Sequence, residues 1–164
     1  MKNTKTSSEL FSVLNDALAR ELQVSVLYML QHSIWNGKSS ASTNEIKESK
    51  SMKFVGTHWP IYLPGVSLKK IAITEMRHAE KIAERITLLG GEIIKKVPPY
   101  TVGDSPKEIL EIDKDQESSA IELYRKIIEI AEGEGDNITA KIFKRILSDE
   151  EGHYRTFSEL LEQI

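Results

Sequence analysis

The sequence contains no cysteine, and this absence excludes several classes of protein. Disulfide frameworks, thiol catalysis, Cys-ligated zinc, iron–sulfur clusters and rubredoxin-type iron sites all require cysteine. Any metal site must therefore use histidine and carboxylate ligands. An excess of one charge is also missing, since 22 Lys and Arg stand against 25 Asp and Glu with both signs interleaved. No electrostatic footprint for nucleic acid is present, and nucleic-acid binding is disfavoured.

Long hydrophobic runs are absent as well. No stretch approaches the length of uncharged apolar sequence that a membrane span needs, and the first nine residues are polar. We therefore expect neither a membrane span nor a secretory signal, and the cytoplasm is the expected compartment. With 164 residues, 40% of them hydrophobic, the chain has the size and core of one domain covering 1–164.

Four segments have the apolar spacing of amphipathic helices, and no strand pattern competes with them. They cover residues 8–36, 67–89, 105–133 and 136 to the end. Gly37 is expected to end the first helix and Gly90 the second, while Ser105 and Asp136 are expected to cap the starts of the third and fourth. The predicted fold is all-α, an antiparallel four-helix bundle.

Two connections between these helices are long. Residues 37–65 are first rich in Ser, Lys and Asn and then aromatic and punctuated by proline, which indicates an insertion between the first and second helices. The segment 92–104 joins the second helix to the third. Fully extended, a segment of this length would reach about 43 Å, more than the roughly 36 Å length of a 24-residue helix. This loop is therefore long enough to cross the whole bundle.

Each predicted helix carries a glutamate near the middle of its apolar stripe, where an unpaired carboxylate would be costly. These residues are Glu21, Glu75, Glu117 and Glu150. His78 and His153 follow two of them by three positions, which places a carboxylate and an imidazole on the same helical face. One Glu from each of two helices with Glu-x-x-His from the other two is typical of carboxylate-bridged dimetal bundles. The sequence therefore predicts a dimetal site.

The two halves of the chain contribute equivalent ligands to this site. Glu21 precedes Glu75 in the first half as Glu117 precedes Glu150 in the second. The separation along the chain is greater in the first half, and the extra length falls in the insertion within 37–65. Two helix hairpins of this kind predict a pseudo-twofold centre. A metal-free helical interaction module is the non-enzymatic alternative, and metal analysis of the purified protein would decide between them.

The four helices resemble the bacterioferritin branch of the ferritin-like superfamily. The matching stretches are LNDALARELQVSVLY, ITEMRHAEKIAERITLLGG, DKDQESSAIELYRKII and ILSDEEGHYRTF. The resemblance implies a ferroxidase for iron storage and detoxification, which binds two Fe(II) per subunit and oxidises them with O2 or peroxide. It makes all six residues named above ligands, with Glu75 and Glu150 bridging. It also places Tyr28, seven positions after Glu21, beside the irons.

The resemblance further concerns cofactors and assembly. Met76 occupies the position of the axial methionine that haem-binding bacterioferritins keep at a twofold dimer interface, so haem b there is one interpretation and an interface or core methionine is the other. Thr74 and Lys70 stand where the family's inner-surface iron site has an acid and a histidine. The segment after His153, which runs to Ile164, is too short for the family's fifth short helix. We therefore expect a twofold dimer that builds a cage of twelve subunits rather than twenty-four.

A second enzymatic hypothesis keeps the same ligands but changes the reaction. Carboxylate and imidazole ligands also suit manganese or another divalent metal, and rubrerythrins and manganese catalases use such centres to consume peroxide. The alternative is therefore a peroxide-reducing di-iron or dimanganese enzyme without mineral storage. The lack of cysteine argues against rubrerythrin's own rubredoxin domain.

Overall fold

A computed structural model describes residues 6–48 and 68–164, and for residues 37–48 it describes the backbone. These residues form four α-helices and no strand, which confirms the predicted all-α fold. The helices are α1 Ser8–Glu48, α2 Leu68–Leu88, α3 Pro106–Gly133 and α4 Asn137–Leu161. Within the described ranges, none of these helices combines the length and the apolar character needed to cross a membrane.

The starts of α3 and α4 lie where their capping residues predict them. The Ser105 hydroxyl accepts a hydrogen bond from the Glu108 backbone N–H at 3.2 Å. The Glu108 carboxylate in turn accepts one from the Asp104 backbone N–H at 2.9 Å. Asp136 accepts a bond from the Thr139 N–H at 3.0 Å. Both helix starts therefore have side-chain acceptors for otherwise unpaired backbone donors.

The ends of α2 and α1 differ in how well the sequence predicts them. Gly90 adopts φ +83° after α2, and the Gly91 N–H donates to the Ile86 carbonyl at 2.9 Å, so the predicted glycine cap is confirmed. The predicted end of α1 at Gly37 is wrong, since α1 continues to Glu48. An isolated glycine costs a helix only about 1 kcal/mol, and residues 38–48 contain good helix formers and no proline. The predicted insertion is therefore partly helical, and its part from residue 49 to 65 lies outside the described residues.

The connection between α2 and α3 crosses the bundle alongside α1. Near the start of α1, the Asn15 side chain accepts a bond from the Ile94 backbone N–H at 2.7 Å. Farther along α1, the Gln31 side chain donates to the Val102 carbonyl at 3.0 Å. More than four helical turns separate these two anchors, a rise of about 24 Å. The crossover predicted from loop length is therefore present, and α2 and α3 run parallel.

The remaining contacts establish how the four helices are arranged. α1 pairs with α2 and α3 pairs with α4, while α1 also packs against α3 and α2 against α4. Ser7, before α1, donates to Glu134, after α3, at 3.2 Å. Arg85, near the end of α2, donates to Asp136, before α4, at 2.6 Å. α1 is therefore antiparallel to α3, and α2 is antiparallel to α4.

The buried apolar residues form two clusters with a polar layer between them. One cluster includes Leu14, Ile82 and Phe143, and the other includes Leu27 and Phe157. On every helix the interval between the two clusters contains the glutamate that the sequence predicts to be buried. The core is thus interrupted at one level, where all four helices contribute an acid.

Candidate metal centre

The structure brings all six predicted ligand residues together in this layer. They fall into two groups whose ligand atoms lie within 4.8 Å of one another. The groups are Glu21, Glu75, His78 and Glu150, and Glu75, Glu117, Glu150 and His153. Each group has one glutamate of its own and one histidine, and both include Glu75 and Glu150. This is the arrangement expected for two adjacent metal ions bridged by two carboxylates.

The two histidines face the shared carboxylates through the same ring nitrogen. His78 Nδ1 lies 3.0 Å from Glu75 Oε2 and 3.0 Å from Glu150 Oε1. His153 Nδ1 lies 2.8 Å from Glu75 Oε1 and 3.5 Å from Glu150 Oε2. Helical geometry explains part of this, since each Glu-x-x-His pair projects from one face of its helix. The other part comes from packing α2 against α4.

The negative charges of the shared glutamates, Glu75 and Glu150, are balanced by the two histidines even without metal. Burial alone would lower the pKa of each imidazole, but contacts with Glu150 and Glu75 outweigh it and raise the pKa of His78 to about 11 and that of His153 to about 9. Burial would raise the pKa of both glutamates, but the close approach of the two imidazoles lowers it below the usual value instead. Two imidazoliums therefore neutralise two carboxylates at neutral pH.

The two unshared glutamates behave differently. Glu21 and Glu117 are fully buried, and burial is the largest cause of their strongly raised pKa values. Repulsion by the shared carboxylates adds to the effect, from Glu75 first for Glu21 and from Glu150 first for Glu117. The raised pKa values favour the neutral form of both acids until a cation binds in the layer. Metal binding would then have to displace protons from histidines and acids alike.

A tyrosine donates to each unshared glutamate. The Tyr28 hydroxyl donates to Glu117 Oε1, and the Tyr124 hydroxyl donates to Glu21 Oε1. Both tyrosines are completely buried. Tyr28 therefore lies beside the cluster, where it contacts the glutamate of α3 and not Glu21 on its own helix. Sequence reasoning gave Tyr124 no role at the site, although it follows Glu117 by seven positions as Tyr28 follows Glu21.

Two further polar groups near the centre were missed. The guanidinium of Arg20, only 8% exposed, donates through Nη2 to the Gln116 carbonyl, so it joins α1 to α3 next to two ligand residues. The Asp149 carboxylate lies 3.3 Å from His78 Nε2. Both residues directly precede a predicted ligand, and their buried neighbours could have drawn attention to them. Sequence periodicity did not select them because their roles depend on contacts between helices.

The donor set fits a pair of metal ions. Of the eight carboxylate oxygens in the centre, five are buried without a donor in hydrogen-bond geometry among the described residues. Unpaired buried acceptors are costly and rare in folded proteins. Metal ions would bind the oxygens that lack a donor. Four carboxylates would also balance the charge of two divalent ions.

Comparisons with known proteins agree with this geometry. A family model described as a ferritin-like domain matches residues 65–164. A bacterioferritin of Brucella melitensis is 32% identical over 143 residues, which cover 85% of this chain and 74% of that protein. The chain belongs to the bacterioferritin family.

Other bacterioferritins match over a shorter stretch. One from Desulfovibrio desulfuricans is 40% identical over 95 residues, and one from Rhodobacter capsulatus is 35% identical over 96 residues. This chain spans only 53% and 60% of their respective lengths. An X-ray structure of the Desulfovibrio bacterioferritin, whose diiron site was studied in different catalytic states, has a TM-score of 0.74 and 32% identity to this chain. That match covers 96% of this chain and 80% of the other.

Three further positions that the resemblance to bacterioferritins singled out, Met76, Thr74 and Lys70, lie outside the six-residue centre. Met76 is 48% exposed on α2, so it is not a core methionine. Together with Val26, Met29, Leu30 and Ile73 it lines an apolar groove of about 380 Å³ between α1 and α2. Thr74 donates its hydroxyl to the Lys70 carbonyl one turn earlier at 3.2 Å.

Proposed function

We propose that this protein is a ferroxidase that takes up two Fe(II) per chain, oxidises them with O2 or peroxide, and serves iron storage and detoxification. The observation that carries the proposal is the pair of overlapping ligand groups that share Glu75 and Glu150. Membership of the bacterioferritin family supports iron as the metal. Manganese or another divalent ion would fit the same donor types.

In this proposal the six residues divide into bridging and terminal ligands. Glu75 and Glu150 bridge the two ions, because each lies within reach of both histidines. Glu21 with His78 completes one position, and Glu117 with His153 completes the other. Tyr28 and Tyr124 hold the terminal glutamates in place through their hydroxyl groups. Each pair of Fe(II) gives up two electrons, which with two protons reduce one O2 to H2O2 or one H2O2 to two water molecules.

Anaerobic titration with Fe(II) tests the proposal directly. We expect binding to saturate near two ions per chain, and admission of air to produce Fe(III) absorbance faster than in a protein-free control. Saturation at one ion, or oxidation no faster than that of free iron, would contradict it. Rapid peroxide consumption without retention of iron would identify the peroxide-reducing alternative instead.

We also propose that the apolar groove between α1 and α2 pairs with a second copy of this chain about a twofold axis. Val26, Leu30 and Ile73 are each about two-fifths exposed in the groove. Exposed apolar side chains that lie together in this way are typical of protein–protein interfaces. The dimers then build a cage of twelve subunits. A native mass near that of twenty-four chains, or of a lone dimer, would rule out this size.

The exposed thioether of Met76 also makes haem b a candidate ligand at that interface, with one haem per dimer. Met76→Leu should then abolish the Soret band while leaving the dimer intact. Protein purified from haem-replete cells without a Soret band would remove the haem proposal and leave Met76 as an interface residue.

A further inference from the structure

A second buried polar pair lies one helical turn from the centre, at the level of the apolar cluster that includes Leu27 and Phe157. It consists of Asp113 on α3 and Gln31 on α1, and both residues are completely buried. Asp113 precedes Glu117 by four positions, so the two acids lie on the same face of α3, about 6 Å apart along the helix axis. A fifth buried acid therefore lies beside the centre without belonging to either ligand group.

Asp113 lacks the partners that a buried carboxylate needs. Neither of its side-chain oxygens has a donor in hydrogen-bond geometry among the described residues. The side chain of Gln31 is its neighbour, but Nε2 of Gln31 donates to the Val102 carbonyl at 3.0 Å. Burial raises the pKa of Asp113 well above its usual range, and the contact with Gln31 lowers it by less. Because an unpaired charge is costly in an apolar environment, these surroundings favour the protonated form of Asp113.

The other half of the bundle has no such polar pair at the corresponding place. The alignment that superposes the two unshared glutamates pairs Asp113 with Ala17 and Gln31 with Ile127. Ala17 and Ile127 are also completely buried. Since apolar side chains fill the equivalent positions of the same fold, the packing of the bundle does not require an acid there. The presence of Asp113 therefore indicates a role in the chemistry of the centre.

Tyr28 connects this pair with the centre. Its hydroxyl donates to Glu117 Oε1, and Gln31 lies on the next turn of the same helix. Burial raises the pKa of Tyr28 well above its usual range, and the negative charges of Glu117 and then Asp113 add to the effect, so both acids are its neighbours. A hydroxyl group can accept one hydrogen bond while it donates another. Tyr28 is therefore placed to pass a proton from Asp113 to Glu117 without contact with solvent.

The proposed reaction consumes protons when it delivers electrons. Two electrons and two protons convert O2 into H2O2, or H2O2 into two water molecules. We infer that Asp113 stores one of these protons inside the bundle and releases it through Tyr28 and Glu117 when Fe(II) is oxidised, while the second proton comes from solvent. This inference rests on the proposed function and adds a proton donor to it.

The charges favour proton release at this step. Oxidation of two Fe(II) to two Fe(III) adds two positive charges to the centre, one helical turn from Asp113, and opposite charges stabilise each other strongly in a buried environment. One O–H bond of Asp113 breaks, and one O–H bond forms in the reduced product. When Fe(III) leaves, the Asp113 carboxylate loses the neighbouring positive charge and takes up a proton from solvent, which restores the starting state.

Asp113→Asn tests the inference because it removes the transferable proton and keeps the size of the side chain. The variant should still bind two Fe(II) in anaerobic titration, since Asp113 is not a ligand. A single turnover with stoichiometric H2O2, followed by Fe(III) absorbance, should be about 100-fold slower, at the lower end of the range for a positioned proton donor. Asp113→Glu retains an acid and should regain part of the rate. Asp115→Asn, the same substitution at an exposed position of α3, is the matched control and should react like the parent.

The pH profile distinguishes proton supply from a structural role. The single-turnover rate of Asp113→Asn should fall more steeply with rising pH than that of the parent, because both protons must then come from solvent. The other titratable groups along the route, Tyr28 and Arg20 on α1, Glu117 on α3 and His153 on α4, are the same in both chains. A difference between the profiles therefore reports on Asp113. Equal rates with parallel profiles would overturn the inference, and so would loss of Fe(II) binding in Asp113→Asn.

Infrared difference spectroscopy provides a test that needs no substitution. The parent chain, labelled with carbon-13 at the aspartate carboxyl groups, is loaded with Fe(II) and then oxidised. The carbonyl band of a protonated aspartic acid should disappear on oxidation, and Asp113→Asn should lack this change. A parent chain that oxidises two Fe(II) without the change would overturn the inference and leave the ferroxidase function standing. A parent chain that binds no Fe(II) would refute the proposed function itself.

Discussion

At the scale of single residues, the two unshared glutamates of the centre each accept a hydrogen bond from a buried tyrosine. Glu117 is fully buried, burial raises its pKa, and it accepts a hydrogen bond from the Tyr28 hydroxyl. Its removal therefore has two opposing effects on apo stability. Replacement of a buried polar group by a packed apolar one can be neutral or stabilising, but an orphaned buried hydroxyl costs about 1–3 kcal/mol.

We expect Glu117→Leu to be destabilised by roughly 1–3 kcal/mol in chelator because Tyr28 loses its acceptor. The double variant with Tyr28→Phe should regain most of that loss, since both polar partners are then gone. Denaturant unfolding of the parent, both single variants and the double variant measures the coupling. Fe(II) binding should fall from two ions to one in every variant that lacks Glu117. Equal stability of Glu117→Leu and the double variant would mean that the Tyr28 hydroxyl does not depend on Glu117.

At the scale of elements, the crossover loop decides that α2 and α3 run parallel. The loop has almost no regular hydrogen bonding of its own, so its course depends on side chains of α1. Asn15 is the main anchor near its start, because its Nδ2 donates to the Glu92 carbonyl at 3.0 Å while its Oδ1 accepts from Ile94. Gln23 donates to the Pro99 carbonyl at an exposed position farther along.

We expect Asn15→Ala to destabilise the protein by about 1–3 kcal/mol, because two hydrogen bonds to the loop are lost at roughly 0.5–1.5 kcal/mol each. Amide exchange at Ile94 should accelerate, because its N–H loses its acceptor. Gln23→Ala is the matched control and should have a smaller effect, since it removes one exposed bond to the loop and not two bonds. Unchanged exchange at Ile94 in Asn15→Ala would show that the loop is held by other contacts.

At the scale of the whole molecule, the polar layer between the two apolar clusters links folding stability to metal binding. The stability of the metal-free chain and the affinity for metal depend on pH in opposite directions. Without metal, the pKa values of His78, His153, Glu21 and Glu117 are all raised, so the surroundings in the layer favour a proton on each of these groups. Each of these groups has a raised pKa in the folded chain. Their contribution to stability is therefore fully present below the pKa of the unfolded chain and is lost as pH rises through the folded values, about 9 and 11 for the two histidines.

Metal binding has the opposite dependence on pH. Metal ions compete with protons for these ligand atoms, so metal affinity rises with pH. We expect Co(II) to raise the melting temperature relative to chelator, with a larger increase at pH 8 than at pH 6. At 100 times Kd, one site adds about 2.7 kcal/mol. Titration with metal in a weakly buffered solution counts the released protons independently. An increase in melting temperature that does not depend on pH would contradict the competition between metal and protons.

The four helices of the described residues, most of their capped ends and the six residues that converge in the layer follow from the sequence pattern alone. Helical periodicity places side chains on faces, and a glutamate on an otherwise apolar face must meet a partner when that face is buried. The end of α1 was not determined in this way, because one glycine costs too little to stop a helix.

Contacts between helices, in contrast, establish which tyrosine bonds to which glutamate, where Arg20 and Asp149 lie, and that the surroundings of the two histidines differ. Tyr28 reaches across to Glu117 on α3, and Asp149 on α4 supports His78 on α2. Periodicity within one helix carries no information about such contacts. They depend on the rotation and offset of each helix against its neighbour, which the packing of the whole bundle determines.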